Sequence, residues 1–201
     1  MPKKQKHSLW WAIRVLRKAG FKRAADYLAR RPVPAPPKPT PKPVPPKRVK
    51  LPVKPARQRL VYWAKWGVHH TAEIHYSEGA DRYNWSKTKR GTLPISTDCS
   101  GFVAMCYKWA GLPDPSGDNF QAGYTGTLLA NAEKNGHILT DISKALPGDL
   151  IVYGPGTGSH VAMIVEAGAD PLTISHGSES GPEYVRVSQD GRQPQRICRY
   201  L

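Results

Sequence analysis

Hydrophobic positions recur at two different periods along this chain. In residues 8–31, Leu9, Ile13, Leu16 and Gly20 fall at i, i+4, i+7 and i+11, and Ala24 and Tyr27/Leu28 continue the stripe. Arg14, Arg17, Lys18 and Arg31 lie largely off it. This predicts a basic amphipathic helix with Ser8 as its N-cap. A second helical period runs through ARQRLVYWAKWGVHHTAEIHYSE, with Leu60, Trp63/Ala64, Gly67, Thr71 and Ile74/His75 on one face. A loop follows from Gly79 to Thr97. In DCSGFVAMCYKWAG, the residues Phe102, Val103, Cys106, Trp109 and Ala110 again keep helical spacing, and Gly111-Leu112-Pro113 stops the helix. A Gly-, Pro-, Asp- and Ser-rich loop covers 112–126, and another helix is expected from Thr127 to Lys134. After Pro147-Gly148 the pattern changes to short apolar runs: Asp149–Tyr153, His160–Glu166, Leu172–His176 and Tyr184–Ser188. Helices first, then consecutive strands, predict an α+β fold with an antiparallel sheet.

Between the first helix and the body the hydrophobic pattern vanishes. Eleven of the 20 prolines lie between Pro32 and Pro55, interleaved with lysine. Such a run is expected to be extended polyproline II, at about 3.1 Å per residue, and cannot build a core. The expected organisation is therefore a helix at 1–31, a Pro/Lys-rich linker at 32–56 and a folded domain at 57–201. Charge follows the same division. The chain carries +15 overall, but residues 1–59 hold 18 Lys/Arg against the single acid Asp26. Residues 60–201 hold 12 basic and 14 acidic side chains. Basicity thus sits outside the folded part, which argues against a bulk nucleic-acid binder and leaves nucleic acid open only for the arm. So cationic a segment suits a polyanionic surface, such as an anionic membrane or a wall polymer, through residues 1–56. No run of 18 apolar residues occurs, so no transmembrane helix is expected. Arg14 interrupts the N-terminal apolar run and no small-residue cleavage site follows, so the segment reads as retained rather than as a signal peptide.

Candidate chemistry centres on Cys99, which follows Asp98 and opens a helix. A thiol there faces the positive end of the helix dipole and unpaired N–H groups, so its pKa is expected to fall. Its own N–H is available to an oxyanion, and Gly101 lets another segment come close. His160 starts one strand and His176 ends the next. A hairpin through Gly168–Pro171 would bring both imidazoles to the same end of the sheet, giving a nucleophile, a base and an orienting group. Asp98 also reads as the N-cap of the helix. Cys106 lies on the apolar face and reads as core, and Cys198 has no legible role. His69, His70 and His75 lack an accompanying HExxH or CxxC, so no metal site is read there. The Gly154–Gly158 run reads as a hairpin turn rather than a phosphate loop.

The motifs DCSGF, PGDLIVY and SHVAMIVE, followed by a further His, resemble the NlpC/P60 cysteine peptidases over residues 60–201. Further stretches, such as IHYSEGADRYNW and YKWAGLPDPSGDNFQAGYTGTLL, resemble the peptidase domain of actinobacteriophage endolysins. The resemblance implies a papain-like fold and cleavage of a stem-peptide amide in bacterial peptidoglycan, favouring the D-glutamyl–diamino acid bond. It implies Cys99 as nucleophile, His160 as general base, His176 as the orienting residue and Tyr83 as an oxyanion donor. It also implies that Asp98 and Ser100 contact a substrate amino group. No metal or organic cofactor is implied. It implies synthesis in a bacterial host cytoplasm and action at the cell wall. A muramoyl–L-alanine amidase or an acyl transferase on the same Cys-His chemistry, and a non-enzymatic cationic binder, stay open at this level.

Overall fold

The computed structural model describes residues 12–30, 55–177 and 181–201. They belong to two units, Met1–Lys50 and Leu51–Leu201.

In the first unit, residues 12–18 are helical, and a second helix, α1, spans Lys22–Arg30. The expected continuous helix is broken at Gly20, whose φ of 84° leaves the right-handed helical region. The Phe21 N–H returns to the Leu16 carbonyl across the break. Arg17 and Asp26 pair at 3.0 Å, so the one acid of the arm neutralises one of its cations. Among the described residues of this unit Ile13 and Ala25 are buried, while Phe21 and Tyr27 are exposed. Ser8, Trp10 and most of the Pro/Lys-rich run lie outside the described residues. No helix among the described residues is long and apolar enough to cross a membrane.

In the second unit, helix α2 (Ala56–His69) is followed by a short strand β1 (Ile74–Tyr76), and β2 (Ile95–Thr97) pairs parallel with β1. Helix α3 (Cys99–Ala110) and α4 (Thr125–Lys134) come next. The strands β3 (Ile138–Leu139), β4 (Leu150–Tyr153), β5 (His160–Glu166), β6 (Leu172–Ser175), β7 (Glu183–Arg186) and β8 (Gln195–Cys198) form one sheet, with the one-turn helix α5 (Val187–Asp190) before β8. Its order is β3-β8-β4-β5-β6-β7, and every pair is antiparallel. The α+β expectation holds.

The helical reading of 56–78 was too long. Helix α2 stops at His69, the His70 N–H returns to Gly67, and Thr71, Ile74 and Tyr76 favour extended backbone once β2 offers a partner. Tertiary pairing overrides a helical period that no cap sustains. The loop expected at 79–97 likewise hides β2. Strand β8 also escaped the sequence reading, because the charged run around it shows no alternation.

Helix α3 is the centre of the body. Eleven of its 12 residues are buried, and only Lys108 is not. It packs between α2 and the face of the sheet bearing Leu150, Val152, Val161 and Met163. The close approach of α2 needs Gly67, where a Cβ would lie 2.5 Å from the Phe102 ring. Cys106 is part of this core, as expected.

The PGD turn locks the assembly. The Gly148 N–H bonds to Ile164 at 2.7 Å, and Asp149 behind it is fully buried. Its carboxylate takes Arg57 at 2.8 Å, Arg199 at 2.7 Å and the Leu146 N–H at 2.9 Å. Arg57 also donates to the carbonyls of Pro147 and Leu201. One buried charge thereby ties the start of α2 to the end of the chain. Removing one partner of such a cluster strands the others. Asp149→Ala should lower the unfolding free energy by about 3 kcal/mol in urea denaturation; a loss below about 1 kcal/mol would show that the network is not holding the termini.

Candidate active site

Antiparallel pairing gathers one end of the sheet. Strand β4 ends at Tyr153, directly opposite His160 at the start of β5, and Ala162 lies opposite Ser175 at the end of β6. The β4–β5 turn is the Gly154–Gly158 run, and β5 returns to β6 through Gly168–Pro171, both as expected. Cys99 is the first residue of α3, with Asp98 as N-cap accepting the Gly101 N–H at 2.5 Å. Gly101 permits this cap. A Cβ there would sit 2.4 Å from Thr97 Oγ1 and 3.1 Å from the Arg82 carbonyl.

The Cys99 sulfur receives backbone N–H groups from Val161 and Ser100. Val161 follows His160, so the thiol lies against the opening of β5. Cys99 is only 8% exposed. Burial, followed by the neighbouring Asp98 carboxylate, pushes the thiol up to about 11. The two N–H groups and the Arg192 charge pull the other way and lose. The expected depression is therefore reversed. A helix terminus offers about 0.3–1 kcal/mol, under one pKa unit, and desolvation of a buried anion outweighs it.

His160 is buried, and its Nε2 lies 2.7 Å from Ser175 Oγ. Its ring stacks on Tyr153 with centroids 6.0 Å apart. Ser175 is thus a partner of His160 that the sequence reading, which gave the orienting role to His176, did not name. Strand alternation explains the difference. Ser175 is paired with Ala162 and so shares a face with His160, and the next residue points the other way. His176 is 1% exposed, and its ring meets Tyr76 at 5.4 Å and Phe102 at 5.8 Å. The parity rule applied to the hairpin was the available signal for Ser175.

Tyr83 is buried. Its hydroxyl donates to the Gly123 carbonyl at 3.0 Å and its ring lies against Trp85 at 5.1 Å. Tyr76 at the end of β1 is the tyrosine coupled to the nucleophile. Burial first, then its hydrogen bond to Glu78 at 2.7 Å, then the charges of Cys99, Glu78 and Asp98 hold its hydroxyl in the protonated form. Sequence reasoning missed it because a helix was expected there.

Asp98 and Ser100 face Arg82. Its Nη1 donates to Asp98 Oδ2 and to Ser100 Oγ at 3.3 Å, and its Nη2 to the carbonyls of Ala122 and Gly123, both at 3.1 Å. Ser100 Oγ donates in turn to Asp98 Oδ1 at 3.0 Å. On the other side, Arg192 is clamped by Asp190 through two bonds of 2.7 Å, and its guanidinium lies 5.7 Å from the Tyr153 ring centre. Neither arginine was singled out from the sequence. Among the described residues no group of three His, Cys, Asp or Glu side chains is placed to hold a metal ion.

The site thus holds a buried cysteine at a capped helix start, against the opening of the strand that His160 begins, with that histidine bonded to a strand hydroxyl. The family model that matches this chain is that of the NlpC/P60 family, over residues 80–192. The chain belongs to the NlpC/P60 family. The matched span contains every site residue named above except Tyr76 and its partner Glu78. Among solved structures, this NlpC/P60 protein is similar to RipD from Mycobacterium tuberculosis, described as a non-catalytic NlpC/p60 domain protein adapted to peptidoglycan binding. Identity is 21% and the TM-score 0.48, over 74% of this chain and 99% of that one. The peptidoglycan hydrolase RipB of the same organism gives 25% identity and a TM-score of 0.43, over 75% of this chain and 69% of that one. The P60 domain of an antigen from M. avium paratuberculosis gives 22% and 0.41, over 73% and 96%. These are mycobacterial proteins, not the phage endolysins that the sequence stretches resemble. A comparison with curated proteins gives no match.

A thiol near 11 predicts slow alkylation at rest. Without substrate, the iodoacetamide rate at Cys99 should rise about tenfold per pH unit above neutrality, in step with the thiolate fraction, and level off near pH 11. A plateau already reached at pH 7 would show a preformed thiolate–imidazolium pair instead. The same shift has a stability consequence. The thiol ionises near 9 when unfolded and near 11 when folded, so its stabilising contribution is full below pH 9 and is lost as pH rises through 11.

Proposed function

We propose that this protein hydrolyses an amide bond in the stem peptide of bacterial peptidoglycan, with Cys99 as nucleophile and His160 as base. The observation that carries the reading is Cys99 lying at the opening of β5, where His160 is held through Nε2 by Ser175. In this reading Nδ1 is the nitrogen that takes the thiol proton. Because the thiol is protonated at rest, proton transfer to His160 accompanies attack of sulfur on the carbonyl carbon. The C=O π electrons move to oxygen. The Cys99 N–H, which helix geometry leaves without an acceptor, meets that oxyanion. Tyr76 serves as the second donor in place of Tyr83. The imidazolium returns its proton to the leaving amine, the C–N bond breaks and a thioester remains. The same imidazole then takes a proton from water, hydroxide adds to the thioester, and the sulfur leaves as the free thiol once reprotonated.

We assign the bond between D-glutamate and the diamino acid as the one cut, following the family resemblance. The resemblance of residues 74–85 and 107–129 to endolysin peptidase domains supports a lytic enzyme of phage type. Residues 57–201 are the catalytic domain in this reading. Residues 1–56 then form a cationic segment that concentrates it on an anionic wall or membrane surface, since their net charge of +15 gives a strong, salt-dependent attraction.

Cys99→Ala should abolish release of soluble muropeptides from purified walls, followed by mass spectrometry of the digest; undiminished release would remove the thiol from the chemistry. Ser175→Ala should lower kcat about 10- to 100-fold with KM little changed, the loss of one orienting hydrogen bond to a group that becomes charged. Tyr76→Phe should lower kcat by about two orders of magnitude, the size expected for an oxyanion donor. Tyr83→Phe, by contrast, should show its main effect as about 1 kcal/mol of lost stability. The reverse ranking of the two tyrosines would return the oxyanion role to Tyr83.

A further inference from the structure

Tyr153 closes β4 directly opposite His160, and the two rings are stacked, with centroids 6.0 Å apart and planes 26° from parallel. The tyrosine is buried in the cluster of Ile151, Ala162, Ile164 and Ile197, so close packing fixes its ring. Burial, followed by the Asp190 charge, keeps its hydroxyl protonated, and the ring presents a neutral π face. Ser175 Oγ holds the imidazole at Nε2, which fixes one corner of it. The Tyr153 face fixes its plane. An aromatic face also distinguishes the two charge states of its neighbour, because it attracts a cation within about 6 Å of its centre. The same ring already has one cation against it. The Arg192 guanidinium carbon lies 5.7 Å from the ring centre, and two bonds of 2.7 Å to Asp190 aim it there and offset its charge. The other charged or titratable groups at this end of the sheet are Cys99, with Asp98 and Tyr76 near it.

Resting on the hydrolase reading above, we infer that Tyr153 is a positioning residue for His160, whose ring sets the plane of the imidazole and stabilises it once it is charged. The proton leaves the Cys99 sulfur for the imidazole as sulfur bonds to the carbonyl carbon, and the imidazolium then lies on the Tyr153 face. That contact is stronger for the cation than for the neutral ring, so it favours the transferred state over the resting one.

The test titrates the His160 ring in the full-length protein by proton NMR, its signals assigned by their loss in His160→Gln, and measures kcat and KM on a synthetic stem peptide. Tyr153→Leu, checked for folding by circular dichroism, should lower the titration midpoint by at least about half a pH unit. It should also lower kcat about tenfold with KM changed less than about twofold. Tyr153→Phe keeps the ring and should leave the midpoint and kcat close to those of the wild type. Pentafluorophenylalanine at position 153 keeps the ring's shape but reverses its charge distribution, so it should lower the midpoint as Tyr153→Leu does, which a merely structural role would not. An unchanged or raised midpoint with the fluorinated ring overturns the inference, and that variant decides if Tyr153→Leu does not fold. A drop in Tyr153→Phe as large as that in Tyr153→Leu overturns it too, by moving the effect to the hydroxyl. If the wild-type protein cuts no stem peptide, the hydrolase reading fails, and the titration midpoints alone decide whether Tyr153 stabilises the charged imidazole.

Discussion

The site depends on one carboxylate. Asp98 caps α3 through the Gly101 N–H, and that cap fixes where the helix starts and hence where Cys99 stands. The same carboxylate takes Ser100 and Arg82, and Arg82 in turn ties the 112–124 loop to the helix through two carbonyls. An N-cap residue is ordinarily worth about 1 kcal/mol to a helix. Here it also fixes where Cys99 stands. Asp98 raises the thiol pKa, and its own charge is paired with Arg82.

A second carboxylate plays the matching part in the scaffold. Asp149, fully buried, binds two arginines from distant parts of the chain and so closes the body around α3. Neither cluster is an oily contact, and both sit at ends of elements. The buried apolar faces of α3 and the sheet supply the driving force for collapse. The two ion clusters set the register in which the collapsed elements meet. That division lets a small domain expose a thiol to a strand end without loosening its core.

A thiol held protonated by burial changes how the chemistry is read. The helix terminus and two backbone N–H groups favour the anion, yet desolvation wins because the side chain is almost wholly covered. In the proposed reaction, charge therefore forms only in the course of the attack, as the proton passes to His160, and the carbonyl oxygen and the imidazolium share it. A hydroxyl as the orienting partner of His160 fixes the ring without adding a fixed negative charge, in keeping with a site flanked by Arg82 and Arg192.

Much of this was legible in the chain alone. The α+β class, the buried face of α3, its start at Cys99 with Asp98 as cap, the β4–β5–β6 meander and the placing of His160 at a strand opening all follow from periodicity and turn residues. Those signals are local, so sequence carries them. The break at Gly20, the end of α2 and the pairing of β1 with β2 were not legible, because a helical period extends past them and only a partner strand or a left-handed turn overrides it. The Ser175 contact to His160, the nearness of Tyr76 to the thiol's charge, the raised thiol pKa and the guanidinium on Asp98 were decided by the tertiary structure. Each depends on which side chain meets which across elements far apart in sequence, and on how much water the fold removes from them.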